Sequence, residues 1–153
     1  GDVLAGDKPS KESFLHLAMY RSRPDERAIV HLHSTYSVAV SCLVDVDPRD
    51  VLPAITAYYV LRVGQLPLVP YFAPGDMELA EHVARMALES RSMLLANHGP
   101  VVAGKDVEAA CNAIEELEDT ARLAMLTCGL GPRALTPAQV DAVVTKFDVE
   151  WER

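Results

Sequence analysis

The sequence predicts an α/β domain, and three observations predict it. Apolar residues recur at helical spacing in several segments, most clearly between Asp106 and Cys128. Short apolar runs of strand length stand at residues 28–33 and 92–97. Helical and extended segments alternate loosely, the order expected where helices cover a sheet and strands carry functional side chains. The 153 residues suit one domain, read as a single unit over residues 1–153. The opening Gly-Asp-Val-Leu-Ala-Gly-Asp reads as a loop, and a further natural segment is expected upstream of it.

Ser10 is placed as the N-cap of a helix running to about Arg21, with Phe14, Leu15, Ala18 and Met19 on one face. Arg23-Pro24-Asp25 breaks it, and residues 28–33 read as a strand entering the core. Residues 37–43 are apolar and fit either strand or helix. Residues 51–63 read as a helix ended by Gly64, and residues 66–71 as a short extended run. Asp76 caps a helix with Leu79, Val83 and Met86 at helical spacing. Residues 92–97 form a buried strand, turned by His98-Gly99-Pro100 into a second extended run from Val101. Asp106 caps the longest helix, whose stripe is Val107, Ala110, Ile114, Leu117, Ala121, Met125 and Cys128, with Gly129 and Gly131 as its stop. Thr136-Pro137-Ala138-Gln139 opens the last helix with a capping box and Pro at its first position.

Lys and Arg total 14 against 22 Asp and Glu, a formal charge of -8. That balance disfavours a nucleic-acid or anionic-membrane surface. No apolar run has the ~18 residues of a membrane span. The three cysteines, Cys42, Cys111 and Cys128, are odd in number and form no C-x-x-C pair, so neither a zinc ribbon nor a disulfide framework is expected. Cys111 and Cys128 read as buried free thiols, and a reducing cytoplasm follows.

His31 and His33 carry the strongest chemical signal. Strand residues two apart point to the same side, so two imidazoles ~7 Å apart can converge on one cation. For the pair alone, two surface histidines at a strand end is the competing reading. His98 leaves a tight turn at the end of a second strand, where α/β proteins assemble their sites. Three histidines with an open coordination position make a catalytic metal arrangement. Glu12 near the start of the first helix reads first as a carboxylate favoured by the helix dipole, and second as an acid/base beside the metal. Ser10 and Lys11, with free backbone N–H groups, are candidates to hold a phosphate. His16, His82, Tyr58, Tyr59 and Tyr71 read as packing or surface residues, and Glu115, Glu116 and Glu118 as a solvated helix face.

Three separated motifs, Lys8-Pro9-Ser10-Lys11-Glu12, His31-Leu32-His33-Ser34 and Ala96-Asn97-His98-Gly99-Pro100, followed by the stretch at 115–121, resemble the class II aldolase/adducin family in its own order. The resemblance covers nearly the whole chain. It implies a three-layer α/β/α domain with a central, mostly antiparallel sheet, assembled as a homotetramer with active sites at subunit interfaces. It also implies one divalent ion per subunit on His31, His33 and His98, with Zn2+ first and Mn2+, Co2+ or Mg2+ as alternatives. Glu12 is then the acid/base, able to approach the ion when no substrate is bound. Within the family the wording looks most like the 3-oxo-tetronate 4-phosphate decarboxylases. The implied reaction is metal-dependent loss of CO2 through an enediolate to give dihydroxyacetone phosphate. A fuculose- or rhamnulose-phosphate type aldolase is the alternative, since one enediolate serves both reactions. Lys11 stands where the aldolases carry a second Ser. A non-catalytic adducin-like interaction domain is the third reading, disfavoured because all three histidines and Glu12 are kept.

Overall fold

A computed structural model describes residues 3–149 and Trp151. The chain order is α1 (Ser13–Ser22), β1 (Ala28–His31), α2 (Thr35–Ser41), α3 (Ala57–Arg62), β2 (Leu68–Val69), α4 (Met77–Met86), β3 (Ser92–Leu95), β4 (Gly99–Gly104), α5 (Val107–Thr127) and α6 (Pro137–Phe147). The four strands make one sheet in the order β1-β4-β3-β2. β1 and β3 both run antiparallel to β4, while β2 runs parallel to β3. The sheet is mixed and mostly antiparallel, as expected.

Side-chain alternation along the strands divides the interior into two cores. Met93, Leu95, Val101 and Ala103 face a core completed by Leu15 and Met19 of α1 and Leu79 and Val83 of α4. Leu94 and Val102 face the other way, onto Val40 of α2, Tyr59 of α3 and Ile114, Leu117 and Ala121 of α5. Helices therefore cover both faces, which gives the three-layer α/β/α domain. β1 follows the same rule, with Ile29 packed on the α1–α4 core and Val30 on the α5 core. His31, two residues after Ile29, consequently points towards the α1 side.

Two glycines allow close approaches. A Cβ on Gly99, whose φ is +156°, would overlap the Leu32 carbonyl oxygen. This brings the end of β1 against the β3–β4 turn. A Cβ on Gly104 would meet the backbone nitrogen of Ala110, so this position lets α5 settle on β4.

Several expectations from the sequence need correction. Ser10 does not cap the first helix. Its carbonyl accepts from Ser13 N–H at 3.2 Å, α1 starts at Ser13, and Glu12 occupies the N-cap position without a side-chain cap bond. The helix expected over residues 51–63 is only α3, because Pro53 interrupts the segment and Thr56 caps the shorter helix by accepting from Tyr59 N–H. The strand expected over 28–33 ends at His31. Residues 37–43 resolve as part of α2 and its C-cap. The extended run at 66–71 pairs only at Leu68 and Val69, between two prolines that lack an N–H to donate. Cys128 is exposed at the C-cap of α5 and Cys111 is half-buried, so neither is a core thiol. Val107 is exposed as well, and the buried stripe of α5 begins at Ala110.

The remaining punctuation stands. Asp76 and Asp106 accept from backbone N–H groups at the starts of α4 and α5, and Gly129 and Gly131 take positive φ just after α5. The α6 capping box between Thr136 and Gln139 is present. Among the described residues no helix is long and apolar enough to cross a membrane.

Candidate active site

Glu12, His31, His33 and His98 come from four places in the chain and meet at one end of the sheet. Glu12 lies at the start of α1 and His31 is the last residue of β1. His33 stands in the segment entering α2, and His98 in the turn joining β3 to β4. That turn is tight: Asn97 has φ +55° and donates its N–H to Ser41 O at 3.1 Å, and His98 N–H donates to Leu95 O at 3.1 Å. Although His33 lies beyond the strand, the chain stays nearly extended there, with Leu32 N–H bonded to Pro100 O at 3.3 Å. The two rings therefore still converge, their centroids 5.2 Å apart. His98 stands 4.9 Å from His31 and 4.8 Å from His33 between centroids.

One ligating atom from each of the four residues fits within a 4.8 Å cluster. His98 Nε2 lies 3.0 Å from His33 Nε2 and 3.0 Å from Glu12 Oε1. His31 Nε2 lies 3.3 Å from Glu12 Oε2 yet makes no hydrogen bond, although its side chain is only 4% exposed. The other nitrogen of that ring, Nδ1, is 2.8 Å from Pro100 O. A carbonyl only accepts, so Nδ1 carries the hydrogen and Nε2 presents a lone pair. Burial lowers the His31 pKa, assisted by His98 and His33 and opposed by the Pro100 bond and Glu12, which favours the neutral ring. A buried, unpartnered imidazole nitrogen aimed at two more imidazoles and a carboxylate is a donor set that fits a divalent cation.

Ser10 and Lys11 are both exposed on the turn before α1, and neither side chain makes a hydrogen bond among the described residues. The structure does not bring them into the cluster. Glu118, read from sequence as part of a solvated face, is a finding that the sequence did not give up. Its Oε1 accepts from Tyr36 N–H at 2.8 Å, and its Oε2 accepts from Ser37 N–H at 2.9 Å and the Ser37 hydroxyl at 2.7 Å. The usable signal was in α2, which opens with no carboxylate in its first turn. Glu116 likewise accepts from the Thr56 hydroxyl at 3.2 Å. His82 packs against Phe72 at 4.9 Å, as a packing histidine would.

With this geometry in place, comparison with known proteins is decisive. The family model of the class II aldolase and adducin N-terminal domain matches residues 1–125. The chain belongs to that family. The 3-oxo-tetronate 4-phosphate decarboxylase of Escherichia coli strain K12 is 48% identical over 140 residues, which cover 92% of this chain and 66% of that protein. The chain thus spans just under two thirds of that relative's length. The L-fuculose phosphate aldolase of Haemophilus influenzae is 35% identical over 144 residues, covering 91% of this chain and 63% of the aldolase. The crystal structure of Escherichia coli YgbL, described as an aldolase, epimerase or decarboxylase, superposes with a TM-score of 0.91 at 45% identity. The superposition covers 94% of this chain and 69% of that one. Class II aldolase relatives share the three-layer fold seen here, including an L-fuculose 1-phosphate aldolase structure at TM-score 0.84 and 33% identity.

Proposed function

We propose that this chain is the catalytic domain of a metal-dependent lyase that decarboxylates a 3-oxo-tetronate 4-phosphate. The observation that carries the reading is the convergence of Glu12 with His31, His33 and His98 within 4.8 Å. The 48% identity to a decarboxylase of that name supports the choice of substrate. His31, His33 and His98 hold one divalent cation, Zn2+ by the softness and number of nitrogen ligands. When bound, the ion supplies a Lewis acid for the substrate's oxygen atoms.

The chain's own residues account for the proton. Loss of CO2 breaks the substrate's C1–C2 bond and leaves its electron pair shared between C2 and the C3 carbonyl oxygen. Glu12, in its acid form, donates a proton to C2, which gives dihydroxyacetone phosphate, and the carboxylate takes a proton back from solvent. Glu12 suits this task because it starts α1 without a side-chain cap bond and is 27% exposed, so its carboxyl group is free to turn from the histidines to a substrate carbon. Ser10 and Lys11, two and one residues before it, meet the substrate phosphate in this reading.

Residues 1–153 form one domain of the enzyme, and the finer assignments follow from it. His33 is exposed, so the cluster is open on one side, and a neighbouring subunit of a homotetramer closes it. Exposed Tyr58 and Tyr71 give such a neighbour apolar surface. The free cysteines suit a reducing cytoplasm.

A class II sugar-phosphate aldolase is the second reading, favoured by the 35% identity to the fuculose phosphate enzyme. The two part on one assay. Incubated with Zn2+ and 3-oxo-tetronate 4-phosphate, the protein should release CO2 and form dihydroxyacetone phosphate. Absence of CO2 together with cleavage of L-fuculose 1-phosphate establishes the aldolase instead.

A further inference from the structure

We infer that Glu118 is a positioning residue for the histidine cluster, acting through α2 as a strut between His33 and His98. The inference rests on the metal reading above and extends it to a residue about 20 positions beyond the last histidine.

The case begins with the helix ends. The first N–H groups of a helix lack intrahelical partners and are usually met by a side chain at the N-cap. In α2 the N-cap is Ser34, whose side chain makes no cap bond. The second and third N–H groups, of Tyr36 and Ser37, are instead taken by the two oxygens of Glu118, and the Ser37 hydroxyl adds a third bond. The carboxylate thus performs from α5, across 81 and 82 residues, what a local cap performs elsewhere. The negative charge also matches the positive end of the helix dipole.

What this end of α2 controls is His33. The residue belongs to no strand or helix and is separated from α2 only by Ser34. Upstream it is fixed by the pairing of Leu32 with Pro100, and downstream by the place where Glu118 pins the first turn. The far end of the same helix serves His98. Ser41 O, in the last residue of α2, accepts from the N–H of Asn97, the neighbour of His98. A seven-residue helix is a stiff element, so fixing its first turn also fixes where its last carbonyl meets the β3–β4 turn. The 3.0 Å approach of His33 Nε2 to His98 Nε2 is held from both ends of α2. Ser37, which gives Glu118 two of its three bonds, is itself fully buried.

The test compares the parent protein with Glu118→Gln and Glu118→Ala, using Ile114→Val on the same helix as a control for lost packing. Co2+ affinity is measured by competition with a chromophoric chelator, and the visible spectrum of the Co2+-loaded protein is recorded beside it. Partners that orient metal ligands typically contribute ~10–100-fold to affinity. Glu118→Ala should weaken Co2+ binding at least about tenfold and alter the spectrum, Glu118→Gln should do so less, and Ile114→Val should leave both within about threefold of the parent. Parental affinity and spectrum in either folded Glu118 variant overturn the positioning role while leaving the metal site standing. If Glu118→Ala does not fold, Glu118→Gln decides alone. If the parent itself binds no Co2+, the metal reading fails and this inference falls with it.

Discussion

On one face of the sheet, α1 and α4 meet through Leu15, Met19, Leu79 and Val83, with polar bonds at the periphery from Ser22 Oγ to Ala84 O and from Arg23 to Ala87 O. On the other face the apolar core is equally continuous, but acidic side chains stitch its helices and loops together. Glu118 holds α2, Glu116 meets Thr56, and Asp50 accepts from Leu66 N–H at 3.1 Å and Tyr59 Oη–H at 3.4 Å. Hydrophobic contact is not directional, whereas hydrogen bonds fix position. The site is built across that divide. Glu12 arrives from the face that constrains it least, while His33 and the His98 turn are tied to the face that constrains them most. Under the proposed mechanism, the group that moves the proton and the residues that hold the ion thereby lie on differently built layers.

The sharpest way to probe this contrast is at Glu12 itself. Glu12→Gln should keep metal content near one ion per chain yet lower turnover ~10²–10⁴-fold, as expected when a general acid is removed. Metal analysis and CO2 release check it, and near-normal turnover rules out the proposed role. Next come the two cores, where the contrast should vanish. Leu15 and Leu117 are both fully buried, so Leu15→Ala and Leu117→Ala should each lose ~2–5 kcal/mol in denaturant titrations. A large inequality between them would mean that one face collapses around a cavity and the other does not.

The pH response sharpens the comparison further, because the stitched face holds two carboxyl groups of opposite sign. Burial pushes Asp50 up to about 6, against the bonds from Leu66 and Tyr59. Its native state prefers the proton, so its contribution to stability is full below the unfolded carboxylate range, ~4, and is lost as pH rises through about 6. Burial also pushes Glu118 upward, but the bonds from Tyr36 and Ser37 outweigh it and hold the group below its ordinary value. Its contribution is present above ~4.5 and is lost on acidification through its depressed pKa. Melting curves across this range should show Asp50→Asn removing part of the decline towards neutral pH and Glu118→Gln removing part of the decline in acid. A loss of both slopes in one variant would refute the assignment of separate groups. The smallest effect is expected at the caps. Asp76→Ala on α4 and Asp106→Ala on α5 should each cost ~1 kcal/mol, alike on the two faces, since each removes one local side-chain bond.

Local chemistry was legible in the sequence, and distant chemistry was not. The caps at Asp76, Asp106 and Thr136 were read from neighbours two or three residues away, and the buried stripe of α5 from its period. The histidine cluster was legible because strands and a Gly-Pro turn leave few directions for His31 and His98. Glu12 stood out only through its family motif, since a carboxylate at a helix start is ordinary. Glu118 was hidden for a physical reason: its partners lie 81 and 82 residues away, and α5 shows the same acidic face whether a carboxylate meets water or another helix. The helix expected over 51–63 shows a second limit. Its apolar residues do enter the core, as Val51, Leu52 and Val63 do, but Pro53 makes the first part reach it as an irregular segment.

The bond from His31 Nδ1 to Pro100 O has a thermodynamic consequence. A free imidazole must give up ring rotation and one of its two tautomers to serve as a ligand. In His31 folding has already removed both freedoms, because the carbonyl of a central strand holds the ring. An ion held there as proposed would therefore meet a side chain with little entropy left to lose. If His31 holds the ion as proposed, binding selective for the native chain would raise its melting temperature as metal concentration rises.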